Sequence, residues 1–153
     1  MKNKILSLLL IVNSYCFSGT IIVTNTNNSG IGSLRASVVA ANNGDTIKFN
    51  QSLIGSGNDT ILLATAIMIN KGLNIVGLYN GTDSLFISGN NNSAIFSVDL
   101  STATNKNITL DSLVLINGFA YDGGAVYCDV ATNFVVKNSI LRNNTSSNLG
   151  GAI

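Results

Sequence analysis

The chain contains no Glu, no His, no Pro and no Trp, and only 10% of its 153 residues are charged. Without an imidazole it cannot build a Ser-His-Asp triad, a Cys-His pair or a zincin site. All of its acidic residues are Asp. The low charge argues against an ordinary soluble helical domain, which carries about 25% charged residues. Long helices also prefer Glu, Lys, Arg and Ala on their exposed faces. The net charge is +1 with no basic cluster, so the electrostatic footprint for nucleic acid is missing. Cysteine is scarce, with only Cys16 and Cys128.

Apolar residues make up 46% of the chain, too many for a disordered one. The polar positions are filled by Asn, Ser and Thr, which suit turns and solvated strands. The 15 glycines add many possible corners. The length is that of one domain.

The amino terminus has the layout of a secretory signal peptide. Lys2 and Lys4 form a positive head, residues 5–12 an apolar run broken only by Ser7, and residues 13–19 a polar, small-residue tail. The run is too short to span a bilayer as a helix. Cleavage is expected after Ser18, so the mature chain starts at Gly19 and has no transmembrane helix. The alternative is a buried N-terminal strand. Tyr15 before Cys16 argues against lipidation. After cleavage only Cys128 remains, which excludes an intramolecular disulfide and makes it a small buried hydrophobe.

Residues 20–24 (TIIVT) read as a first strand. Residues 33–42 (SLRASVVAAN) read as a helix capped by Ser33, with Leu34, Val38 and Ala41 on one face and Asn43-Gly44 as its stop. A strand is the alternative, because Val38 and Val39 are β-branched. From Asp45 onward short apolar runs follow one another, each ended by Asn or Gly: DTIKFN, TILLAT, AIMIN, LNIVG, LFISGN, AIFSV, NITLDSLVLING, GGAVYC, FVVKNSILRNN and GGAI. This is strand patterning punctuated by turns.

The runs repeat. Residues 108–118 lie over residues 134–144, so that Leu110 meets Val136, Asp111 meets Lys137, Leu115 meets Leu141 and Asn117 meets Asn143. Residues 123–126 (GGAV) meet residues 150–153 (GGAI) one position later, and LFISGN from Leu85 is a weaker copy of the segment from Leu113. Such a period marks a solenoid. With short strands and almost no helix, the expected fold is all-β, a right-handed parallel β-helix. Ile67/Ile69, Leu73/Ile75, Ile108/Leu110 and Leu113/Leu115 should stack inward, and the Asn117 and Asn143 amides should form a corner ladder. The helix should cap the first turn, where core and strand edge would otherwise be open. The implied organisation is a signal peptide at 1–18, a strand, capping helix and first rung at 19–50, and further rungs at 51–153.

Residues 23–50 (VTNTNNSGIGSLRASVVAANNGDTIKFN) resemble the N-terminal segment of large bacterial secreted and surface β-helix proteins. In that family a strand, an SGxGSLR loop and a capping helix precede a GDTIxF rung. INKGLNIVGL is similar to the family's early rung. GGAV and GGAI resemble the glycine motif of polymorphic outer-membrane proteins and pectin-lyase-like repeat proteins. LRNN at residues 141–144 stands where that family has FxxN, with Leu for Phe. The resemblance implies a secreted or outer-membrane surface protein, structural or adhesin-like, with an extracellular polysaccharide or host-cell ligand as possible partner. Because the chain stops inside a GGAI motif, it is expected to be the truncated N-terminal part of a longer protein. The second function the resemblance allows is the start of a polysaccharide lyase or hydrolase whose active site lies in further rungs.

Such enzymes use grouped carboxylates, often with Ca²⁺ or an Arg base. Of the seven Asp residues, only Asp122 and Asp129 flank one rung and could approach each other; solvated loop carboxylates are the simpler reading. Asp45 falls in the GDT turn, Arg35 suits a structural contact on the capping helix, and Arg142 an exposed strand end. No catalytic, cofactor-binding or metal residue is assigned, and no cofactor is expected. The 19–153 piece, with about four rungs and one protected end, is expected to self-associate end to end.

Overall fold

The computed structural model describes residues 18–55, 59–79, 82–130 and 133–153. The proposed signal peptide, including Cys16, lies almost wholly outside them. The elements run β1 (Thr20–Val23), α1 (Leu34–Ala40), β2 (Thr46–Phe49), a 3-10 turn (Gln51–Ile54), β3 (Asp59–Leu62), β4 (Ile67–Ile69) and β5 (Leu73–Val76). They continue with β6 (Leu85–Ser88), β7 (Phe96–Asp99), β8 (Asn107–Asp111), β9 (Val114–Ile116), β10 (Phe119–Ala120), β11 (Val126–Val130), β12 (Asn133–Lys137), β13 (Ile140–Arg142) and β14 (Thr145–Ser146).

These strands wind into a right-handed parallel β-helix of about five turns, one more than the sequence suggested. Three sheets form its walls, in the orders β1-β2-β5-β8-β12, β3-β6-β9-β13 and β4-β7-β11, with β10-β14 at a corner. Every pairing within them is parallel. Successive turns are therefore about 4.8 Å apart.

Alternation within each strand creates the core. On the first wall Ile21, Ile47, Ile75, Leu110 and Val136 stack in one column. On the second, Ile61, Ile87, Leu115 and Leu141 do the same. On the third, Ile67, Phe96 and Val126 stack beside Ile69, Val98 and Cys128. The middle members are fully buried, whereas Ile21, Val136, Leu141 and Cys128, at the column ends, are only partly so. All four inward pairs expected from the sequence are buried.

Single residues in the left-handed region turn the coil. Ser112 and Asn138 occupy one corner at φ 56° and 52°, and Asn117 and Asn143 the next at 52° and 57°. Asn tolerates this conformation better than most residues. The expected amide ladder between Asn117 and Asn143 is not formed. Asn144 makes the cross-turn bonds instead, accepting from Gly118 N at 2.8 Å and donating to Leu115 O at 3.0 Å. Asn117 and Asn143 contribute their backbone conformation to the corner.

The helix caps the stack as expected. The first strands of the three walls are β1, β3 and β4, and α1 packs on β1 and β4. Its Leu34 and Val38, with the following Ala41, join the core. The Ser33 hydroxyl accepts from Ala36 N at 3.2 Å. The helix ends at Ala40, before the anticipated Asn42, because the Asp45 carboxylate takes the Asn42 N–H at 2.8 Å and draws the chain out of the helix. Before the helix, Gly32 at φ 81° lets the loop fold back, and its carbonyl accepts from Thr24 N at 2.8 Å.

Arg35 fastens this cap to the first full turn. Its guanidinium donates to Asn28 O at 3.1 Å, Asn28 Oδ1 at 3.1 Å, Thr65 O at 2.5 Å and Ala66 O at 2.8 Å. Asn28 Oδ1 also accepts from Ala64 N at 3.0 Å. Arg35→Ala should cost roughly 2 kcal/mol, since it strands several carbonyls at once. Arg35→Lys should recover little of that, because an ammonium cannot reproduce the planar fork. Urea unfolding of the three proteins checks this; equal stability of the Lys variant and wild type would remove the clamp.

Candidate functional site

The Asp residues were the candidates for chemistry, and several of them bind the coil itself. Asp45 is buried and accepts from Asn42 N at 2.8 Å and Gly19 N at 2.6 Å. These two N–H groups hold its carboxyl below the usual carboxylate range. Asp99 accepts from Ser101 N at 2.9 Å, which lowers its pKa in the same way. Asp111 meets Lys137, as the repeat alignment required, at 3.4 Å. The Asn138 amide at 3.0 Å is the main cause of its lowered pKa.

Asp122 and Asp129 have different surroundings. Asp122 Oδ1 accepts from Asn148 Nδ2 at 2.9 Å and Leu149 N at 3.0 Å, tying one turn to the next. Asp129 is exposed near the end of β11. Among the described residues no group of three or more His, Cys, Asp or Glu could hold a metal ion. Arg142 is exposed at the end of β13. Cys128 points to the core but is half-buried, not buried as expected, because it ends its column. Burial first, and then the charge of Asp129, push its thiol pKa up.

A different surface has the character of a binding site. Phe119, Tyr121 and Tyr127 line one groove of about 500 Å³ with Ser93, Ser97 and Asp122. Its floor is small, with Ala66 and Ala94. Tyr121 is 70% exposed, Phe119 45% and Tyr127 40%. Three of the four exposed aromatic side chains among the described residues thus share one groove. No Lys or Arg lines it.

The fold explains how the groove is assembled. Tyr127 lies on β11 in register with Ser97 of β7, which lies over Met68 of β4, all on the outer face of the third wall. Phe119 and Tyr121 belong to the β10 corner. The Phe119 N–H donates to Ser93 O at 2.9 Å, and Tyr121 O accepts from Asn148 N at 2.9 Å. Turns above and below therefore hold both sides, so little ordering is needed on binding. Sequence reasoning passed over these aromatics. The available signal was Tyr127 at a polar position of an alternating strand, and Phe and Tyr within a turn.

Comparison of the chain with known protein families, with curated proteins and with solved structures returned no match. The class of protein is therefore defined by its fold, a right-handed parallel β-helix with an N-terminal helical cap. Among the described residues no helix is long and apolar enough to cross a membrane.

Proposed function

We propose that this is an exported β-helix scaffold of the secreted or cell-surface kind, structural or adhesin-like, which acts by presenting its lateral surface. The aromatic groove on the third wall carries this reading. Aromatic faces stack on the apolar faces of sugar rings, while the Tyr and Ser hydroxyls and the Asp122 carboxylate can bond sugar hydroxyls. Without a cation to pair with a carboxylate, and with Asp122 on its rim, the groove suits a neutral polysaccharide over an acidic one. The roles of Asp45, Asp111 and Asp122 in tying the coil together further favour a scaffold over a catalyst. The resemblance of the N-terminal segment to bacterial surface β-helix proteins points the same way.

The test uses a β-linked glucan hexamer, mannan and polygalacturonate as probes. The chain has no Trp, so emission comes from tyrosine, and the groove's share is the part lost in Tyr121→Ala and Tyr127→Ala, Tyr79 lying outside the groove. A neutral glycan should bind, and Tyr121→Ala and Tyr127→Ala should each weaken it by roughly fivefold. Failure of both neutral glycans to bind, or binding indifferent to both substitutions, overturns the groove assignment. Release of reducing ends or unsaturated products, with Ca²⁺ present, would instead support the carbohydrate-active enzyme.

A further inference from the structure

We propose that removal of residues 1–18 creates an ion pair that closes the N-terminal end of the coil: the α-ammonium of Gly19 on the carboxylate of Asp45. The proposal rests on the export reading above and assigns a role to its processing site.

Gly19 N lies 2.6 Å from Asp45 Oδ1, and the other oxygen, Oδ2, accepts from Asn42 N at 2.8 Å. Asp45 itself leads directly into β2. One carboxylate, 4% exposed, therefore joins the start of β1, the end of the helical cap and the start of β2. These are the elements that seal the first turn. The Gly19 carbonyl accepts from Thr46 N at 2.8 Å, so Gly19 begins the ladder between β1 and β2. A Cβ at this position would stand 3.3 Å from Asp45 Oδ1. A residue without a side chain gives the carboxylate its closest access to the nitrogen.

In the unprocessed chain that nitrogen is a neutral amide with one hydrogen. Ser18 and Gly19 are exposed, so the bond between them is open to attack. The required catalyst is an endopeptidase of the export route. One water is consumed: its hydroxyl goes to the Ser18 carbonyl carbon and its proton to the Gly19 nitrogen. The freed amine takes a further proton from solvent, since α-amino groups titrate near pH 8, at about 7.7–8.0. A bond charged only on the acceptor side thereby becomes one between two full charges, which is stronger. Lys71 is the nearby cation, but its ammonium donates to Val39 O at 3.1 Å and Ala41 O at 2.8 Å at the end of the helix. The new terminus supplies a cation directly on the carboxylate. Processing and closure of the coil are thus linked through one contact.

The exported protein is compared with the same chain acetylated on Gly19. Acetylation keeps the N–H and removes the charge. The acetylated form should show a roughly tenfold larger unfolding constant, about 1.4 kcal/mol. In Asp45→Asn the two forms should agree within about twofold. If Asp45→Asn does not fold, the acetylation comparison alone decides. Equal stability of the free and acetylated proteins overturns the ion pair. Sequencing of the exported amino terminus tests export separately: a start elsewhere than Gly19 refutes the processing site, whereas a Gly19 start with equal stabilities refutes only the contact.

Discussion

Gly124→Ala should disrupt the last two turns of the coil, whereas Gly151→Ala, in the sister motif, should be tolerated. The two glycines occupy equivalent places in GGAV and GGAI. A Cβ on Gly124 would stand 2.4 Å from Gly151 O, 2.4 Å from Thr145 O and 2.6 Å from Thr145 N. All three are backbone atoms and cannot swing aside. Relief requires moving β14 and the 149–153 segment away from the turn beneath, which breaks the bonds from Ala125 N and Val126 N to Ala152 O at 2.8 and 3.0 Å. At Gly151 the nearest atom is Asn144 O at 3.9 Å, an ordinary contact. The expected cost at Gly124 is about 3 kcal/mol, or roughly 10 °C in Tm for a domain of this size. At Gly151 it should stay within about 0.5 kcal/mol. Thermal unfolding of the two variants checks the contrast. Similar losses at both sites would mean that the stacking between these turns is not as described.

A purified polypeptide of residues 19–153 should form dimers at micromolar concentration. Among the described residues, β12 and β13 are the last strands of their walls, and no strand is stacked on their outer edges. Phe134, Val136 and Leu141 are only partly buried beneath that edge, and Ile140, Leu149 and Ile153 are exposed. An uncovered strand edge templates pairing with another chain. At the opposite end α1 covers β1 and β4, so the uncovered end is where two copies are expected to meet. Such a contact is self-complementary and stops at two; it cannot propagate into a filament. An inward-pointing charge blocks an edge of this kind, so Val136→Lys should shift the protein toward monomer by at least tenfold in dissociation constant, an expectation of about 1.4 kcal/mol. Sedimentation over a concentration series measures both. A wild-type monomer across the micromolar range, or filaments in place of dimers, would show that this edge does not pair as argued.

How much of this was legible beforehand follows from the physics of the repeat. Strand alternation is local, so the inward pairs and the capping helix could be read directly. Ser33 bonds its own helix and Leu34, Val38 and Ala41 share a face, whatever surrounds them. The pairing of residues 108–118 with 134–144 was also legible, because both copies carry the same turn lengths. Earlier turns hid their register. Thr46 pairs with Asn74 but Asn74 with Thr109, a longer step than that from Thr109 to Val135. Loops of unequal length, including the one at residues 100–106, remove the constant offset while leaving the strands stacked.

Lateral neighbours are the part that only the folded coil decides. Phe119 and Tyr121 meet Tyr127 across a corner, and Ser93 and Ser97 reach the same groove from the preceding turn. That meeting depends on how far the β10 corner projects, which the stacking of β14 on β10 controls. Asn144, not Asn143, bonds across the turns because the left-handed Asn143 rotates the next side chain toward the neighbouring backbone. Asp45 reaches Gly19 only once β1 and β2 are in register. Strand and core patterns rest on periodicities of a few residues, which a sequence displays openly. Contacts between turns join residues a full turn apart, and loop lengths set their register only when the stack forms.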